Sequence, residues 1–314
     1  MFTPMNASNA DHSNQVRRHT LNACAFLLCV TFVAGHCSAG IIFSDLGAAS
    51  ADNWAVLLGP DTTNFALNGP GTTTGNVGYD GSSTLQLNAS GGHEAINGNL
   101  DLAFGLNTVN DVAQVTGTVI TDQGSVLAAD WEQAVHASGL FSSMTPTQTV
   151  SGGKINGTTT IKSSGVGATN VIDLTSINLG NGQSLTLNGS ATDQFIINVS
   201  QSFVLNSGKI LLTGGLTPDD VVINVTGSGN AISSSGGLNN ESVINGILLA
   251  PNSNIAFSPA LINGELIAGG SNIQLDWGAS VDQEIPLYGI PEPATWLLLG
   301  TGLVGLGSFR RKRV

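Results

Sequence analysis

Short apolar runs separated by glycine and asparagine dominate the middle of this chain, and they have the length of β-strands. Between Ile172 and Val225 the runs follow closely: Ile177 to Leu179, Ser184 to Leu187, Phe195 to Val199, Phe203 to Leu205, Lys209 to Leu212 and Val221 to Val225. An Ile-Asn-Gly step recurs at Ile96-Asn97-Gly98, Ile155-Asn156-Gly157, Ile244-Asn245-Gly246 and Ile262-Asn263-Gly264, each time followed by a strand-like stretch. A looser relative, Val115-Thr116-Gly117, follows the first copy at nearly the spacing that separates the last two. Asn and Gly tolerate the left-handed backbone needed to turn sharply between two short strands. The step is therefore expected to be a corner, with Ile pointing inward and Asn-Gly at the turn.

A hairpin meander is the competing reading of Asn-Gly, but hairpins require no fixed long period. Here the copies beginning at Ile244 and Ile262 continue alike, so that residues 244–257 read almost in parallel with 262–275. Three short strands in such a period fit one coil of a β-solenoid. The architecture expected is mainly β: a solenoid, with every Ile of the repeated step in its core. In this register Glu265 falls on the outward phase.

One segment departs from the strand pattern. Leu127, Trp131, Ala134, Val135, Ser138 and Phe141 recur at helical spacing before Met144, with Asp130 and Glu132 read as first-turn acids and Pro146 just beyond the end. This predicts one amphipathic helix whose apolar stripe packs on the solenoid flank.

Both ends of the chain carry export patterns. An apolar stretch from Leu21 to Gly35 follows Arg17 and Arg18, and Cys37-Ser38-Ala39 supplies the small residues that signal peptidase inspects. Residues 1–39 are thus expected to form a signal helix, cleaved between Ala39 and Gly40. His36 stands where a lipoprotein signal needs a small residue. At the other end Pro291-Glu292-Pro293 precedes an apolar run, 294–309, and then Arg310, Arg311, Lys312 and Arg313. That run is shorter than the roughly 20 residues of a comfortable transmembrane helix. The basic cluster keeps its own end cytoplasmic, so the chain before Pro291 is expected outside the inner membrane. The three-part tail, residues 289–314, resembles the PEP-CTERM sorting signal of exopolysaccharide-producing Gram-negative bacteria. The resemblance implies that an exosortase removes the tail, including its transient transmembrane helix, and delivers the protein to the cell surface, outer membrane or matrix.

Composition sharpens this picture. All cysteines (Cys24, Cys29, Cys37) lie in the signal segment, so a secreted fold without disulfides must rest on its core. Residues 40–290 hold 19 acidic and three basic side chains, a net charge of −16, with no arginine. A surface like that cannot neutralise phosphates, which excludes nucleic acid as a partner. His93 and His136 have no second histidine at ligand spacing. Asp219-Asp220 after Pro218 reads as a turn opening the next strand. Calcium is the one cofactor the acidity leaves open, and no motif supports it.

Between the two export signals, residues 40–288 resemble the bacterial ice-binding-like β-helix family and the related choice-of-anchor A adhesive domain. The residues that carry this likeness are Trp54-Ala55-Val56-Leu57, the helix before Thr145-Pro146-Thr147-Gln148-Thr149, the stretch Asp193 to Val199, and Gly246 to Asn252 with the repeat that follows. The resemblance implies a right-handed β-helix with one long flanking α-helix, and an adhesive or ice-binding role rather than catalysis. Three functions follow in order. The first is a non-catalytic surface or matrix protein that binds extracellular polysaccharide or neighbouring cells. The second is an ice-binding protein, although Thr72-Thr73-Thr74 and Thr158-Thr159-Thr160 do not repeat at the coil period. The third is a polysaccharide-cleaving β-helix enzyme, whose paired carboxylates would leave no motif.

Overall fold

A computed structural model describes residues 54–283, apart from 70, 83–84, 90–94, 106–108, 110–113 and 238. All belong to the compact unit Ile41–Val314. The expected signal helix, its cleavage site at Ala39–Gly40, and the sorting signal with its transmembrane helix lie outside the described residues.

Among the described residues the strands form two parallel sheets of 15 and eight members. The larger sheet bends where the register breaks between Leu174 and Ser176. Strands Thr169–Leu179 and Gln194–Asn206 therefore each cross two faces, and the result is a three-faced β-helix. Asp173, Asn198, Asn224, Leu249 and Ile267 pair in turn along the first face, and the last step, from Leu249 to Ile267, is shorter than the three before it. The short period read from the Ile244 and Ile262 copies thus belongs to one coil step and not to the whole stack. The difference sits at the corners. Gly246 and Gly264 turn the chain almost by themselves, whereas other coils insert segments such as Gly214–Asp220 between the same two faces.

Stacking order departs from chain order. Leu266–Ala268, in the last coil, pairs with Trp54–Leu58, in the first. Asn272–Leu275 likewise pairs with Asn64–Gly69, and Ser280–Asp282 with Thr72–Thr74. The stack continues through Asn76–Tyr79 and Leu100–Leu102 to Val119–Ile120. Helix α1, Gly124–Ser143, then carries the chain back along the first face to the opposite end, where Gln148 bridges Ile172.

Helix geometry suits this return. A helix of 20 residues rises about 30 Å, close to the thickness of six coils spaced about 4.8 Å apart. Each coil is therefore met by a new helical residue every three or four positions. Asp130 accepts from the Trp54 indole at 2.9 Å. Ser138 donates to Asn224 Oδ1 at 2.6 Å, and the Phe141 carbonyl accepts from Asn198 at 2.9 Å. Asn224 and Asn198 are partners in adjacent coils, joined by a side-chain bond of 2.9 Å.

Two details of the helix differ from expectation. It begins at Gly124, so Asp130 lies beyond the first turn, which carries no acid. Asp130 is buried because it holds Trp54, and the dipole argument does not apply. Val135 is exposed, and Ala137 takes its place in the buried stripe with Leu127, Ala134 and Phe141. Trp131 lies against Gly59 and Gly269, where any Cβ would collide with its ring.

Covering one face explains the composition of its strands. A strand buried on both sides loses hydrophobic alternation. Val221–Val225 is buried at every position: Val221, Ile223 and Val225 face the interior, while Val222 joins Ile196, Leu249 and Ile267 under the helix. Inside, aligned residues form ladders such as Ile177, Phe203, Ile232, Ile255, Ile273 and Phe65, all buried.

Ile96, Ile244 and Ile262 are buried in one ladder, with Val281 and Thr73 between them in the stack. Val115 bridges Ile96, so the looser copy belongs to the same corner. Ile155 is also buried, but it pairs with Ile177 and turns the chain at a different corner. The shared corner is crowded. Gly264 has φ 131° and its Cβ would lie 2.5 Å from the Gly246 carbonyl oxygen. Gly157 has nothing within 4 Å of the equivalent position.

These contrasts set an expected order of stability. Ile262→Asp buries an unpaired carboxylate and is expected to cost several kcal/mol, and Gly264→Ala about 1 kcal/mol or more from backbone strain and collision. Gly157→Ala is expected to be neutral or slightly stabilising. Thermal denaturation of the three variants checks the order, and equal melting of the two glycine variants would disprove the stacked corner.

Candidate binding faces

With helix α1 over the first face, two faces remain open to a ligand. The second bears an outward row of Asn178, Val204, Ser233, Ala256 and Gln274, all exposed or half-buried. At its margin runs an amide ladder. Asn254 donates to Asn230 at 2.9 Å, Asn254 Oδ1 accepts the Asn272 amide at 3.0 Å, and Asn64 donates to Asn272 Oδ1 at 2.6 Å. These contacts link asparagines one coil apart and tie the edge together along the stack.

The third face carries Thr160, Thr186, Leu211 in one part of its outward row and Asn263, Asp282, Thr74 in another. Asn245 extends the second part, accepting from Asn263 at 2.8 Å and donating to the Ile210 carbonyl at 2.7 Å. The two threonine runs noted in the sequence share this face but stand in different coils, and Thr73 points into the core. Lys162 and Lys209 border the row.

Several acids serve the fold. Asp173 accepts from Asn198 at 2.9 Å. Asp193 is 2% exposed, and burial raises its pKa. Hydrogen bonds from the Ser190 and Ala168 amides and the Ser190 and Ser163 hydroxyls outweigh that effect and hold it below the usual carboxylate range. Asp219 and Asp220 do open Val221–Val225, in a turn where Thr217 and Asp220 cap each other. His136 is exposed on helix α1, and His93 lies outside the described residues. Among the described residues, no three His, Cys, Asp or Glu side chains converge to hold a metal ion.

Glu265 corrects a sequence expectation. It lies at the corner after Gly264, and only part of the residue reaches solvent. Its carboxyl group is shielded and accepts from Gln283 at 3.2 Å. Desolvation, aided by the charge of Asp219, pushes its pKa up to about 7, against the partial opposition of the Gln283 bond. Alternation suggested an outward side chain, but the single-glycine turn shifts the phase and tucks it into the corner.

Comparison with known proteins agrees with both parts of the chain. Residues 289–312 match the PEP-CTERM protein-sorting motif. The chain carries a PEP-CTERM sorting signal. This signal implies export, processing by exosortase and sorting to the cell surface. No curated protein matches the sequence. Among solved structures, the ice-binding protein of the Antarctic ascomycete Antarctomyces psychrotrophicus is 22% identical, with TM-score 0.50, over 76% of this chain and 96% of that one. A glycosylated ice-binding protein from an Arctic yeast is 16% identical, with TM-score 0.50, over 79% and 95%. The DUF3494 domain of Shewanella frigidimarina ice-binding protein 1 is 16% identical, with TM-score 0.51, over 76% and 96%. At these identities the likeness establishes a shared β-helical fold.

The raised pKa of Glu265 gives a signed expectation. Folded protein holds this proton more tightly than unfolded protein, whose glutamates titrate near about 4.3. The contribution is fully favourable below the unfolded value and is lost as pH rises through about 7. Glu265→Gln is expected to flatten that part of the melting-temperature profile from mildly acidic to neutral pH. An unchanged slope would disprove the buried, protonatable corner.

Proposed function

We propose that this chain is a non-catalytic adhesive protein of the outer cell surface or exopolysaccharide matrix. Its two uncovered faces bind extracellular polysaccharide or neighbouring cells. The observation that carries this reading is two uncovered faces of a long coil stack, mixed in amide, hydroxyl and apolar side chains and edged by stacked asparagines, on a chain sorted to the surface. Such faces suit a polymer that repeats its hydroxyl groups. Each contact is weak, and strength comes from many displayed copies acting together. The sorting signal supports the location, and signal peptidase and exosortase are the processing partners. In this reading, residues 294–309 hold the precursor in the inner membrane only until exosortase acts. Gram-negative outer membrane and matrix are the destinations that fit such a signal. Anionic polysaccharide would need divalent cations to approach a chain with this negative balance.

A second reading is ice binding, favoured by the fold shared with ice-binding proteins. Against it stands the make-up of the rows: Leu211, Asn245 and Asp282 interrupt the threonines of the third face, and Val204, Ser233, Ala256 and Gln274 leave the second face chemically irregular. A third reading, polysaccharide cleavage, has no carboxylate pair in the outward rows of the described residues to recommend it.

The test joins location and ligand. Mature protein recovered from cells is expected to lack Arg310 to Arg313 by intact mass, and deletion of its coding sequence is expected to weaken cell aggregation or biofilm cohesion. Strong inhibition of ice recrystallisation by the protein, with aggregation and biofilm unchanged in the deletion strain, would reverse the order of the two readings.

A further inference from the structure

Trp277 occupies a corner position whose geometry favours glycine. Leu67 pairs with Leu275 across the seam between first and last coils, and beyond them Asn68 donates to Asp276 Oδ1 at 2.6 Å. Gly69 stands next, and its Cβ would lie 3.7 Å from the backbone nitrogen and Cα of Trp277. Both residues are left-handed, with φ 68° at Gly69 and 54° at Trp277. Glycine adopts this conformation freely, whereas a bulky aromatic adopts it only when its surroundings impose it. Two bonds impose it here: the Asp276 amide donates to the Phe257 carbonyl at 2.8 Å, and the Ala279 amide to the Asp276 carbonyl at 3.0 Å.

The strained backbone brings the indole no burial. Trp277 is 69% exposed, while Trp54 is 6% exposed and Trp131 packs between Gly59 and Gly269. An aromatic that strains the backbone and leaves its ring in water does not serve the fold. Its setting indicates what the ring is for. Gln274 projects from the second face just before it, and the Asp276–Asn68 pair is fixed at its side.

We propose that Trp277 is a stacking platform for a neutral polysaccharide, with Asp276, Asn68 and Gln274 meeting the hydroxyl groups around the stacked sugar. This rests on the polysaccharide-binding reading above and specifies its contact point and charge class. A pyranose ring has an apolar C–H face edged by hydroxyls, and an indole beside fixed polar groups complements both. The adjacent carboxylate and the negative balance of residues 40–290 disfavour an anionic polymer at this point. A protein pocket that took up the indole would have no use for the fixed acid–amide pair beside it.

The test is affinity electrophoresis of the full-length chain, in mild detergent, through gels cast with a neutral β-glucan, a neutral galactomannan, anionic alginate, or exopolysaccharide from the secreting cells. At least one neutral polymer is expected to retard the protein. Trp277→Gly should weaken that retardation at least tenfold while keeping or raising the melting temperature, and Trp277→Phe should restore part of it. Equal retardation of wild type and Trp277→Gly overturns this proposal and leaves polysaccharide binding standing elsewhere on the faces. No retardation by any of the four polymers overturns both. A lower melting temperature for Trp277→Gly overturns the proposal, because the indole would then serve the fold.

Discussion

The parallel seam between Leu266–Ala268 and Trp54–Leu58 is the constraint from which the rest of the structure follows. Because the first coils rest on the last one, the chain must return from one end of the stack to the other. A helix does this with its backbone groups paired internally over most of its length. Helix α1 meets that need, and in doing so it commits one face to packing. The amide ladder of Asn198 and Asn224 then ties helix to sheet at the coil repeat.

That commitment divides the surface. The covered face is buried on both sides, so Leu, Ile and Val fill most of its positions and the Asn198–Asn224 ladder pairs its polar groups with the helix. The other two faces alternate, so they alone can carry a binding chemistry without disturbing the core. Corners are the third element. Where two faces meet at a single glycine the coil is short and the turn crowded, as at Gly246 and Gly264; where a segment is inserted, the coil grows and its loop projects.

Much of this was legible in the sequence, for reasons that differ by element. The short strands and the helix announce themselves through period, and the Ile-Asn-Gly step marks corners because side-chain size and backbone freedom coincide there. Ile155 shows the limit of that rule: the same tripeptide serves a different corner, since local turn chemistry does not encode which faces it joins. The stacking order was not legible, because a seam joining residues 208 apart leaves no local pattern. Asp130 and Glu265 were misread for the same reason. Asp130 is held by a distant partner, Trp54, and Glu265 is tucked into a single-glycine corner beside the distant Gln283. Trp277 gave no signal in the sequence, where nothing marks its position as one suited to glycine. The sorting signal was fully legible, since an address read by a membrane protease is linear.

The seam also governs the order of assembly. Synthesis from the N-terminus makes Trp54–Leu58 long before Leu266–Ala268. Until then the first coils have one neighbour fewer, an exposed parallel edge of the kind that pairs readily with other strands. The stack closes only when its last coil is present to fill that edge. The first coils therefore gain their second neighbour only from the last residues of the β-helix to be made, so folding is completed by the end of the domain and not by its beginning.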